Sequence, residues 1–108
     1  MKSRPLTGSA ASALVTELRS MALLSPGQDE KSLRRAKEIC FLLRGLDPQG
    51  RHVGDRAERA YGHLEILLST RRWKVEPASL EALRKDIKSA CDRLRVAVEA
   101  AVHENGSV

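Results

Sequence analysis

The sequence predicts an all-α protein, an antiparallel four-helix bundle, on three observations. Apolar residues recur at spacings of three and four in four separate stretches. Pro and Gly clusters fall between those stretches, near residues 25–28, 45–54 and 71–77. No segment alternates apolar and polar residues with the β-branched enrichment of a strand. At 108 residues the chain fits one domain. Phe41, Tyr61 and Trp73 are its only aromatics. The core must therefore come from Leu, Ile, Val and Ala, which suits helix-on-helix packing.

Residues 1–9 read as a polar, mobile arm. The first helix is expected over Ala10–Leu24, capped by Ser9, with Leu14, Leu18 and Met21 on one apolar face. Ser25-Pro26-Gly27 ends it, because proline cannot continue a helix and restricts its predecessor. The second helix is expected over Asp29–Arg44, its two acids favouring the positive end of the dipole. Leu33, Ala36, Ile39, Cys40 and Leu43 form its buried stripe, widened by Phe41 and Leu42, and Gly45 stops it.

Leu46–His52 reads as a connector. The third helix starts near Val53 or Asp55 and reaches Thr70, with Val53, Ala57, Ala60, Tyr61, Leu64, Leu67 and Leu68 on its face. Arg71–Val75 either extends or closes it. The fourth helix opens at Pro77 and carries the longest stripe, Leu80, Leu83, Ile87, Ala90, Leu94, Ala97 and Ala101. It should end near His103, with Asn105-Gly106 as its cap and residues 105–108 as a tail. Short connections make sequential helices antiparallel neighbours, so residues 10–104 form the single domain.

The net charge is +5 and unevenly spread. Residues 31–74 hold eleven Lys/Arg against five Asp/Glu. Such a basic middle could steer an acidic partner or nucleic acid, or could be simply a solvated face. Apolar runs fall short of the roughly 20 residues that span a bilayer, and no signal-peptide pattern opens the chain. Cys40 and Cys91 lack a motif partner and read as buried small hydrophobes in a reducing cytoplasm, although a disulfide between them is an alternative.

Catalytic and cofactor signatures are missing. His52, His63 and His103 give no zinc or di-iron ligand spacing, no nucleophile elbow is present, and phosphate-binding glycine loops are absent. The reading is therefore a non-enzymatic protein with no metal and no cofactor. Arg56 and His63, seven residues apart on one helix face, resemble the Arg-x4-6-His pair of the HEPN helical ribonucleases. That resemblance implies an alternative, a basic bundle that binds or cleaves RNA. A structural, self-associating bundle without ligand is another.

Several segments together resemble the flagellar export chaperones of the FliS family. Ala13-Leu14-Val15 with Leu18 is similar to that family's opening helix, and Arg35–Ile39 with Leu43, Leu46 and Asp47 to its helix ending in Leu-Asp. Gly50 falls at its Gly-Gly turn, Tyr61 at the Tyr of a Leu-Tyr pair, and Leu64, Leu68, Leu80, Leu83 and Ile87 keep its spacing. Arg19-Ser20 replaces the family's Tyr-Asp, His63 its second Tyr, and the closing Ala-Trp is lacking. The first two helices are also about ten residues shorter than the family's. The resemblance implies a cytosolic chaperone that wraps the C-terminal helical region of flagellin. On that expectation Leu14, Leu18, Met21, Tyr61, Leu64 and Leu68 line the partner site, and the first helix, with its Ala-rich face, is the one a partner displaces or packs against.

Overall fold

The structure is a computed structural model that describes residues 7–25, 27, 30–46, 52–69 and 77–106. Four helices run Gly8–Ser20 (α1), Glu30–Arg44 (α2), His52–Leu68 (α3) and Pro77–Gly106 (α4), and there is no strand among the described residues. α4 packs along both α3 and α1, α2 packs on α3, and α1 meets α2 over a smaller contact. Cross-helix contacts fix the directions. Gly8 lies against Val102 and Arg84 reaches Ala22, so α1 and α4 are antiparallel; Arg44 lies against Gly54 and Cys40 bonds to Ala57, so α2 and α3 are antiparallel as well. The result is the antiparallel four-helix bundle the periodicity predicts. At a rise of 1.5 Å per residue, α4 is about 45 Å long. It sets the long axis of a molecule measuring 49 × 28 × 21 Å.

Why α1 begins where it does follows from its cap. Thr7, not Ser9, accepts a hydrogen bond from the Ala10 amide at 3.0 Å, satisfying one donor of the first turn. Gly8 and Ser9 are therefore helical rather than part of an arm; residues 1–6 lie outside the described residues. The helix tightens into a 3-10 turn at Met21–Leu23, and Leu24 leaves it extended. Its buried face is Ala11, Val15, Leu18, Met21 and Ala22, with Leu14 on the shoulder. Leu18 and Met21 of the expected face are buried, and Ala11, Val15 and Ala22 join them where Leu14 does not.

α1 is firmly fastened. Arg84 donates to the carbonyls of Ala22 at 2.9 Å and Leu24 at 3.2 Å, satisfying acceptors left open where the helix ends. Arg95 donates to the hydroxyls of Ser12 and Thr16, each at 2.8 Å. Arg19 pairs with Asp92 at 2.9 Å, and Arg35 grips Glu17 with two nitrogens while also meeting Glu38. The grip of Arg35 holds the Glu17 carboxyl below the usual carboxylate range. Gly27 then turns the chain with φ 67°, which only glycine adopts without strain, and its amide donates to the Leu67 carbonyl at 2.7 Å.

The core of α2 is Leu33, Ala36, Ile39 and Leu43. Phe41 and Leu42 do not widen it: they are 76% and 40% exposed. Phe41 is two residues from both Ile39 and Leu43, and a step of two turns a helix by about 200°, onto the outer side. Gly45 does not adopt a left-handed cap. The last turn closes through short bonds from the Gly45 and Leu46 amides to Leu42 and Leu43, and Leu46 folds into the core.

α3 starts at His52, earlier than expected, and carries Gly54 within its first turn, where the Arg44 side chain lies against it. It ends at Leu68, short of Thr70. The connector residues 47–51, together with residues 70–76 including Trp73, lie outside the described residues. α4 buries Leu83, Ile87, Ala90, Cys91, Leu94 and Val98, and its helix continues through Asn105 and Gly106 rather than being capped by them.

Candidate functional site: a groove between α2 and α3

Among the described residues, two open depressions flank the core. The first lies between α1 and α4 and is lined by Gly8, Ser12, Arg95, Val98, Glu99, Val102 and His103, with a volume of about 340 Å³. Its cation, Arg95, is committed to two hydroxyls, and Glu99 stands on the same wall. A bound anion would have to compete with both.

The second, of about 270 Å³, runs between α2 and α3 and is lined by Lys37, Cys40, Phe41, Arg44, Ala57, Glu58 and Tyr61. Helical register places these side chains together. Lys37, Phe41 and Arg44 step by four and three along α2, so they share one flank of that helix. Glu58 and Tyr61 do the same on α3, with Ala57 beside them. The floor is apolar and closed: the Cys40 thiol donates to the Ala57 carbonyl at 3.4 Å, tying the two helices at the base. Burial pushes the Cys40 thiol up to about 11, so it is a neutral packing group rather than a nucleophile. Tyr61 is half-buried, and burial, with the nearby Glu65 carboxylate second, raises its hydroxyl above the ordinary value.

The rim is charged. Arg44 reaches across to Glu58 at 2.8 Å, an exposed pair whose members compete with water. Lys37 has no ion pair among the described residues. Phe41 stands between Lys37 and Arg44 with most of its ring in solvent. The groove thus has an aromatic edge, an apolar floor and two cations one on each side of the ring.

Of the six residues expected at a partner site, Tyr61 lines this groove and Leu14 is half-buried on the outer shoulder of α1. Leu18, Met21, Leu64 and Leu68 are in the core, and a partner would reach them only by opening the bundle. The sequence places Phe41 beside the buried stripe of α2 rather than in a groove, and gives Lys37 and Arg44 no individual role. A phenylalanine two positions off its helix's buried stripe was the available signal.

Arg56 and His63 lie half-buried on α3, about 10 Å apart along its axis, and neither is hydrogen-bonded or ion-paired among the described residues. Cys40 and Cys91 are both free thiols, the latter pushed up to about 12 by burial. Among the described residues no cluster of three His, Cys, Asp or Glu could hold a metal, and no helix is long and apolar enough to cross a membrane. No protein-family model, curated protein or solved structure matches the chain.

Proposed function

We propose that the protein is a small cytoplasmic adaptor or chaperone that holds an amphipathic helical segment of a partner protein in the α2–α3 groove. The observation that carries this reading is Phe41. A large aromatic ring left 76% exposed beside an apolar floor is an anchor that a partner's apolar face would cover. Two antiparallel helices already supply the parallel ridges between which a third helix beds. The cytoplasmic assignment rests on two free thiols, Cys91 buried and Cys40 half-buried, which suit a reducing compartment.

The resemblance to the flagellar export chaperones makes the C-terminal region of flagellin the first partner to test. In this chain the groove would be at α2–α3, because α1 is held by Arg84, Arg95 and Arg35 rather than left displaceable. Titration calorimetry with a flagellin C-terminal peptide tests the reading. Binding should show a negative heat-capacity change, the mark of apolar burial, and Phe41→Ser should weaken it. No heat at tens of micromolar would remove flagellin, and equal affinity of the Phe41→Ser variant would remove the groove.

A further inference from the structure

We propose that the α2–α3 groove selects its partner by charge: the bound helix carries two carboxylates seven residues apart, flanking an apolar position, and these pair with Lys37 and Arg44. The inference rests on the adaptor reading above and names the chemistry of the partner. Lys37 and Arg44 are seven residues apart on α2, about 10 Å along its axis, with Phe41 between them. A helix laid along the groove repeats its own positions i and i+7 at the same spacing and on one face. Its apolar residue between the two acids then meets the Phe41 ring and the floor formed by Cys40, Ala57 and Tyr61.

Two features of the rim make this more than a basic surface. Lys37 has no counter-charge among the described residues. Arg44 has one, Glu58, but both members of that pair are more than half exposed. Exposed pairs are weak and exchange readily with competitors. Glu58 therefore acts as an internal placeholder, occupying Arg44 until a partner carboxylate replaces it.

The test uses the full chain and three synthetic helical peptides with one leucine-rich face. They carry Glu, Gln or Lys at the two positions seven apart, and affinity is read by fluorescence anisotropy at low and high salt. The Glu peptide should bind best, with Gln weaker by roughly threefold to tenfold and Lys weaker still, and the preference should shrink in high salt. Glu58→Gln, which frees Arg44, should tighten the Glu peptide by a few-fold. Lys37→Glu with Arg44→Glu should reverse the order of Glu and Lys peptides. The three positions substituted are exposed, and unchanged circular dichroism confirms that the variants fold. Equal binding of the three peptides overturns the charge rule and leaves the adaptor reading standing. Failure of all three to bind overturns both. A wild-type chain that is dimeric by ultracentrifugation and monomeric as Phe41→Ser would place a second copy in the groove, which also overturns the proposal.

Discussion

Replacing Phe41 by Ser separates a recognition surface from a piece of core. Burying a whole Phe side chain is worth about 1.5–3 kcal/mol. With 76% of the residue exposed, about a quarter of that, roughly 0.5 kcal/mol, supports the fold. Phe and Ser have similar helix propensities, so the backbone of α2 adds little difference. The melting midpoint should therefore fall by only about 2–4 °C. A partner that covers the ring gains the other three quarters, about 1–2 kcal/mol, which corresponds to roughly a fivefold to thirtyfold loss of affinity on substitution. Thermal unfolding by far-ultraviolet circular dichroism and peptide titration on the same preparations read the two quantities. A fall of ten degrees or more, with affinity unchanged, would show that Phe41 packs within the protein and that the groove is no binding surface.

Other substitutions probe the frame that holds the groove. Ile87, wholly buried mid-way along the stripe of α4, should cost about 2–5 kcal/mol as Ile87→Ala in urea unfolding, and an unchanged midpoint would mean that the stripe faces outward. Arg84→Ala removes both donors to the Ala22 and Leu24 carbonyls and should cost about 1–3 kcal/mol. Arg84→Lys should recover only part of this, since an ammonium lacks the fork that spans two acceptors, and full recovery would contradict the clasp. The buried thiols give a pH dependence. Cys91 and Cys40 are raised to about 12 and about 11, so the folded state favours the neutral thiol. Their contribution is whole below the unfolded value of about 8.5 and is lost as pH rises through the folded values. Urea midpoints should fall between pH 8 and 11, and Cys91→Ala, though less stable at neutral pH, should lose less over that range. An equal loss in the variant would assign the effect to other groups.

The legible part of the fold was the part written in large apolar residues at regular spacing. Leu33, Ala36, Ile39 and Leu43 on α2, and Leu83, Ile87, Ala90 and Leu94 on α4, are where periodicity puts them. Phase was harder on α1. There the large side chain of Leu14 marks a face, but Ala11, Val15 and Ala22, whose small or branched side chains weigh little in a periodicity, are the ones buried with Leu18 and Met21. Ends were harder still. Thr7 rather than Ser9 caps α1: either hydroxyl can accept from the amide three residues on, Ala10 or Ser12, and only the backbone conformation chooses between them. The arginine clasps were illegible, because Arg84 and Arg95 act across 60 residues or more of sequence. The same limit hid the groove. Periodicity treats Phe41 as one more apolar residue beside a stripe, and its exposure emerges only when α3 leaves that flank open.

The central claim is that the surface between α2 and α3 binds another chain's helix. Backbone amide chemical shifts of the isotope-labelled protein, followed during titration with the Glu-bearing helical peptide, test it most directly. The account predicts shifts confined to residues 37–44 and 54–61, lost in Phe41→Ser, with the amides of α1 and the outer face of α4 unmoved. Shifts centred on Leu14 and α1, or none up to a large excess of peptide, would contradict it.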